Sequence, residues 1–82
     1  MAMVLFTFAS THLAMEAELL VEGTFAARLI PLPPKISAGC GLSLRCEEKD
    51  AAAIGALLET RAPYDGVYLR QGEDYVPWEA RP

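Results

Sequence analysis

The sequence is poor in the residues that bind metal ions. Its 82 residues include two cysteines and one histidine, whereas a structural zinc site needs four cysteine or histidine ligands at close spacing. Signatures of serine hydrolases and of phosphate-binding loops do not occur, and no pair of carboxylates stands in a setting typical of acid–base catalysis. We therefore expect no metal ion, no cofactor and a binding or carrier protein rather than a catalyst.

Positive charge and long apolar runs are also scarce. Seven lysines and arginines against eleven acidic residues give a net charge of -4, and the basic residues are scattered from Arg28 to Arg81, so no surface for nucleic acid is predicted. The apolar start MAMVLFTFAS has no positive flank and ends at Ser10, too short for a membrane helix of about 20 residues. We expect a cytoplasmic protein without nucleic-acid or membrane partners.

Apolar side chains are plentiful, at 52% of residues against 22% charged. A chain of this length buries one core, so we predict a single α+β domain over residues 1–71 that folds alone or as a homodimer. A tail over residues 72–82 follows without clear periodicity, and its Tyr75, Val76 and Trp78 are candidates for docking on the domain or on a partner.

Four segments have the character of β-strands. The second of them contains prolines, which cannot donate hydrogen bonds to a neighbouring strand and so confine it to a sheet edge or end it early. The third alternates apolar and polar residues, which is typical of a half-buried strand. The predicted strands cover residues 3–8, 25–33, 41–46 and 64–70.

Two segments are predicted to be helical. The first has apolar residues at 3.6-residue spacing between an N-cap at Ser10 or Thr11 and a C-terminal Gly23. The second covers residues 51–61, with Asp50 as its cap. The order β-α-β-β-α-β predicts a ferredoxin-like sandwich, in which two helices cover one face of a four-stranded antiparallel sheet of order 4-1-3-2.

This topology predicts where Cys40 lies. The segment PPKISAGCGLSLRC, residues 33–46, begins as a loop and continues as strand three, which starts at the same sheet edge as helix one. Cys40 is thus expected near Ser10, Thr11 and His12, where unpaired N–H groups and the helix dipole favour a thiolate. Gly39 and Gly41 would let a ligand or partner approach the sulfur closely.

Simpler interpretations remain open for the same residues. Cys40 is equally well explained as a small buried apolar residue, His12 as a solvated side chain, and the two glycines as parts of a tight turn. Cys46 alternates with buried leucines, which indicates a core residue. A disulfide is not expected, because six residues of strand span roughly 20 Å and a disulfide needs Cα atoms within about 7 Å.

The chain resembles the family of small prokaryotic domains described as selenium or sulfur carrier protein-like. The resemblance covers Val4 to Arg70 and depends on FAST, residues 8–11, on ARLIPLPPKISAGCGLSLR, residues 27–45, and on YDGVYLR, residues 64–70. The middle segment is the most specific. The family's cysteine matches Cys40, and a basic residue in its Pro-x-x-Ile-Ser loop matches Lys35, two residues before Ser37.

The resemblance implies that Cys40 holds sulfur or selenium as a persulfide or perselenide and exchanges it with donor and acceptor proteins. Ser10, Thr11, His12, Lys35, Ser37, Gly39 and Gly41 would be the binding residues around it. Leu32, Ile36 and the prolines are candidate partner contacts. Two alternatives are a ligand-binding or protein-interaction module in which Cys40 is structural, and a domain that only assembles into dimers.

Overall fold

The protein forms five strands and two helices in the computed structural model. The structure describes residues 2–79. In chain order the elements are β1 (Met3–Thr7), α1 (Thr11–Val21), β2 (Arg28–Pro31), β3 (Leu42–Glu47), α2 (Glu48–Arg61), β4 (Gly66–Gln71) and β5 (Asp74–Pro77).

The strands form a single antiparallel sheet in the order β2-β3-β1-β4-β5. The predicted α+β class, the two helices and the antiparallel sheet are therefore confirmed. The predicted four-strand count of the ferredoxin-like sandwich is wrong, because a fifth strand extends the sheet beyond β4. Strand β2 lies at the opposite edge, as its prolines require.

The fifth strand arises from the segment that lacked a clear period in the sequence. Gly72 adopts a positive φ of 64°, and the two residues between Gln71 and Asp74 reverse the chain into a hairpin. Gly72 in a two-residue connection is a recognisable hairpin signal. The division into a domain of residues 1–71 and a tail of residues 72–82 stays a prediction, and residues 80–82 lie outside the described residues.

Helix α1 begins and ends at the predicted residues. The Ser10 hydroxyl accepts a hydrogen bond from the Leu13 N–H at 3.2 Å, which caps the helix, and Gly23 follows the helix end with a φ of 82°. Helix α2 begins earlier than predicted, at Glu48, so the cap at Asp50 is wrong. Glu48 and Asp50 instead lie in the first turn, where negative charge is favourable beside the helix dipole.

Both helices pack on the same face of the sheet. Alternation places Val4 and Phe6 of β1 and Leu44 and Cys46 of β3 on this face. These four side chains belong to one buried cluster with residues of both helices, among them Ala14, Ala17, Val21, Ala51, Ile54 and Leu58. The core therefore lies between the helices and the three central strands.

Loop residues 33–36 lie against the other face of the sheet. Leu5 is buried there, outside the helix-side cluster, and Pro33 and Pro34 line one cavity with Arg70 and Tyr75. The Lys35 amine donates to the Asp74 carboxylate at 2.8 Å and to the Glu73 carbonyl at 3.0 Å. The loop is therefore attached to the hairpin between β4 and β5, while its start adjoins the residues around Cys40, because the Leu32 N–H donates to the Gly41 carbonyl at 2.9 Å.

Neither helix within residues 2–79 is long and apolar enough to cross a membrane.

Adjacent leucines of α2 offer a matched test of this packing. Leu58 is fully buried, whereas Leu57 is 39% exposed. We expect Leu58→Ala to lower the free energy of unfolding by about 2–5 kcal/mol, because it leaves a core cavity, and Leu57→Ala to lower it by less than about 1 kcal/mol. Urea unfolding followed by Trp78 fluorescence measures both values, and equal losses would contradict this placement of α2.

Candidate functional site

Cys40 lies at the end of the sheet where α1 begins. Strand β1 ends at Thr7, which is paired with Ser43 near the start of β3, and the chain then turns through Ser10 into α1. Because β3 runs antiparallel to β1, the residues just before β3 are brought to the beginning of the helix. The predicted proximity of Cys40 to the start of α1 is therefore present in the structure.

Two hydrogen-bond donors face the Cys40 sulfur. The Leu42 N–H lies 3.2 Å from Sγ, and the Thr11 hydroxyl oxygen lies 3.7 Å from it. The Leu42 carbonyl oxygen is 3.6 Å away and can accept a bond from the protonated thiol. The same surroundings thus accommodate a thiol and supply donors to a thiolate.

The sulfur is nevertheless shielded from solvent. Cys40 is 5% exposed and belongs to the buried cluster between the helices and the sheet. A reactive thiol needs access as well as stabilisation of its anion. Access to the Cys40 sulfur is therefore limited in this conformation.

The two glycines beside Cys40 differ in what surrounds them. A Cβ atom on Gly39 would overlap the backbone carbonyl group of Ala9, whereas a Cβ atom on Gly41 would meet nothing within 4 Å. Gly39 thus allows the loop to pack directly on the turn before α1. The sequence offered a structural interpretation for Gly39 as part of a tight turn, but it did not indicate the contact with Ala9. Gly41 has open space where its Cβ atom would lie, and its predicted role in the approach of a ligand stays a prediction.

The structure brings only some of the predicted binding residues to the sulfur. Thr11 contacts it, while the Ser10 hydroxyl is occupied as the helix cap. His12 is exposed in the first turn of α1, and Ser37 is exposed in the loop. The Lys35 amine is bound to the hairpin between β4 and β5. Their roles in binding stay predictions.

The backbone of Leu42 is the functional group that the sequence did not reveal. Its N–H is the closest donor to the sulfur, but a main-chain group has no residue-type signature. The sequence offered one indication, namely the spacing of the two residues. In turns, the backbone N–H of a residue commonly donates to the side chain two positions before it.

Cys46 has a different environment, as predicted. It is 1% exposed and lies in the core. Burial, followed by the negative charges of Asp50 and Glu47, raises the pKa of its thiol to about 12. Cys46 therefore stays protonated at neutral pH and is a poor nucleophile. Both cysteines are free thiols.

Within residues 2–79, no three histidine, cysteine, aspartate or glutamate side chains are grouped as metal ligands would be.

The fold and the site together define a small α+β domain with two buried thiols, of which Cys40 lies at the start of a helix and faces two hydrogen-bond donors. The chain belongs to the family described as "Putative Se/S carrier protein-like", whose model matches residues 3–69. This match confirms the resemblance seen in the sequence. No curated protein and no solved structure matches the chain.

The two glycines provide a test of the loop geometry. We expect Gly39→Ala to lower the free energy of unfolding by about 1–3 kcal/mol, because its methyl group overlaps the Ala9 backbone. Gly41→Ala has free space and should leave stability unchanged or raise it by up to about 1 kcal/mol. Urea denaturation of both variants makes the comparison, and a destabilised Gly41→Ala protein would count against this loop conformation.

The raised pKa of Cys46 predicts a loss of stability at high pH. Above its ordinary pKa of 9.0 the unfolded chain loses the thiol proton, whereas the folded protein keeps it up to about 12. Unfolding thus becomes easier as the pH rises through this window, by up to about 1.4 kcal/mol per pH unit.

Wild type and Cys46→Ala are compared by urea unfolding between pH 8 and pH 10.5. Because other groups titrate in both proteins, only the difference between the two curves reports on Cys46. We expect the wild-type curve to fall more steeply above pH 9, and parallel curves would show that the thiol pKa is not raised.

Proposed function

We propose that this protein carries sulfur or selenium on Cys40, as a persulfide or perselenide, for transfer to a biosynthetic enzyme. Membership of the family supports the carrier role. The observation that supports Cys40 as the carrying residue is the pair of donors, the Leu42 N–H and the Thr11 hydroxyl, directed at its sulfur. Cys46 lacks a comparable role because its thiol stays protonated.

Loading is a displacement that needs no external oxidant. The Cys40 thiolate attacks the terminal sulfur of a donor persulfide and forms a new S–S bond, while the donor's own S–S bond breaks and its thiolate leaves. The proton of the Cys40 thiol passes to solvent. In unloading, an acceptor nucleophile attacks the terminal sulfur and the Cys40 thiolate is the leaving group.

The donors at Cys40 suit both steps. They stabilise the attacking thiolate before loading and the departing thiolate during unloading, because in both states negative charge lies on Sγ. Thr11 and the Leu42 N–H are therefore assigned to anion stabilisation.

Burial of Cys40 adds a condition to this exchange. The loaded sulfur would be protected in the closed protein, and a partner has to displace residues 37–41 to reach it. Of the predicted partner contacts, Ile36 is buried in the free protein, whereas Pro34 is exposed and Leu32 is half-buried. Pro34 and Leu32 are thus the better contacts for a donor or acceptor.

We place the exchange in the cytoplasm, where thiols stay reduced.

A second function is favoured by the same burial. Because Cys40 belongs to the core cluster, the protein would be an interaction module in which this thiol only fills space and bonds to Leu42. In that case Cys40→Ser or Cys40→Ala would leave partner binding unchanged, and no atom would be transferred.

Incubation with a cysteine desulfurase and cysteine separates the two functions. We expect intact-protein mass spectrometry to show a gain of one sulfur atom per chain, located on Cys40 and removed by a reducing agent. The expected result follows from the two donors directed at the Cys40 sulfur and from the Cys46 thiol, which stays protonated.

The two cysteine variants serve as matched tests. Cys40→Ser should lose the mass gain completely, and Cys46→Ser should retain it. Persistence of the gain in Cys40→Ser, or its absence from a folded wild-type protein under conditions that load a known carrier, would favour the interaction module.

A further inference from the structure

A second site is formed on the far side of the core, between α2 and the end of β5. A cavity of about 310 Å³ lies there, and its walls include Phe6, Gly55, Glu59, Tyr64, Trp78 and Glu79. We call it the aromatic cavity. Its volume is at the lower end of the range for ligand pockets, so it suits a small molecule. Trp78 and Glu79 lie outside the residues matched by the family model.

Three aromatic rings shape the aromatic cavity. Phe6 and Tyr64 pack edge to face, with ring centroids 5.0 Å apart and planes at 75°. Trp78 is held by two hydrogen bonds: its indole N–H donates to the Glu48 carboxylate at 2.9 Å, and its backbone N–H donates to the Val67 carbonyl at 2.9 Å. The rings are therefore positioned before any ligand arrives, which reduces the entropic cost of binding.

A glycine keeps space between these rings. Gly55 lies in the interior of α2, where glycine costs about 0.5–1 kcal/mol relative to alanine. A Cβ atom at this position would lie 3.5 Å from the Tyr64 hydroxyl oxygen and 3.6 Å from the Phe6 ring. Any longer side chain would enter the cavity.

The charge of the aromatic cavity is negative. Glu59 and Glu79 line it, and neither belongs to the ion pairs found within residues 2–79, which join Lys35 to Asp74 and Lys49 to Glu47. Burial, followed by the charge of Glu59, raises the pKa of the Tyr64 phenol. Aromatic faces also carry negative potential, so the rings and the carboxylates both attract a positively charged ligand.

We propose that the aromatic cavity binds a small free organic ammonium ion, with its alkyl groups against Tyr64 and Trp78 and its charge facing Glu59. Rings that pack around an alkylated ammonium gain both apolar contact and cation–π attraction. A neutral ligand would gain only the contact, and an anion would be repelled by the two carboxylates. This site is independent of Cys40 and of the carrier function.

Trp78 reports on binding without a label, because it is the only tryptophan of the chain. Choline and its neutral isostere 3,3-dimethylbutan-1-ol are titrated while the Trp78 fluorescence is recorded. We expect a saturable change with choline in the millimolar range and at least tenfold weaker binding of the alcohol. Equal affinities, or no saturation by 100 mM choline, would overturn the proposal.

Substitutions test the roles of the carboxylate and the open space. Glu59→Gln should weaken choline binding about three- to tenfold, because it removes a charge without removing the side chain. Gly55→Leu should abolish binding by filling the aromatic cavity. Glu22→Gln, an equal charge change at the end of α1, is the control. Identical choline affinity for Glu59→Gln and Glu22→Gln would refute the charge assignment.

Calorimetric titration of the wild type with a trimethyllysine peptide distinguishes a free ligand from a partner protein. Choline binding at least as tight as peptide binding supports the free ion. Much tighter binding of the peptide would show that the ammonium group belongs to a protein side chain, and would overturn the assignment of a free ligand. Circular dichroism confirms that each variant is folded before it is titrated.

Discussion

The pairing of β1 with β3 is the constraint on which the candidate site depends. It places Thr7 opposite Ser43, so the turn into α1 and the loop before β3 meet at the same end of the sheet. The contact is close enough that only glycine fits at position 39, against the Ala9 backbone. Thr11 and the Leu42 N–H then converge on the Cys40 sulfur, although Thr11 lies 29 positions before Cys40 in the sequence.

Burial and reactivity make opposite demands on Cys40. A thiol in the core is inert, and a carrier thiol must meet its partners. Cys40 combines both features, because its side chain is buried while the Leu42 N–H and the Thr11 hydroxyl are directed at its sulfur. Cys46 shows the contrast, because burial, followed by the charges of Asp50 and Glu47, raises the pKa of its thiol. Two identical side chains six residues apart thus have different neighbours.

Much of the fold could be predicted from local patterns. Ser10 and Gly23 mark the ends of α1 because each satisfies backbone requirements within a few residues. The predicted cap at Asp50 was wrong because β3 passes directly into α2. No loop separates the two elements, so the start of the helix had no turn signal in the sequence. Strand β5 was not predicted because its four residues show no clear alternation. The hairpin signal at Gly72 was the only local indication of the strand, which pairs with β4.

The sequence by itself determined the α+β class, the two helices, the central strands and the separation of Cys40 from Cys46, because periodicity and chain geometry are local properties. Only the tertiary structure decided what surrounds each thiol, that Lys35 binds the distant hairpin, and that Phe6, Tyr64 and Trp78 line one cavity. Those contacts join residues far apart in the chain. Their geometry depends on how the helices and strands pack, which no local pattern specifies.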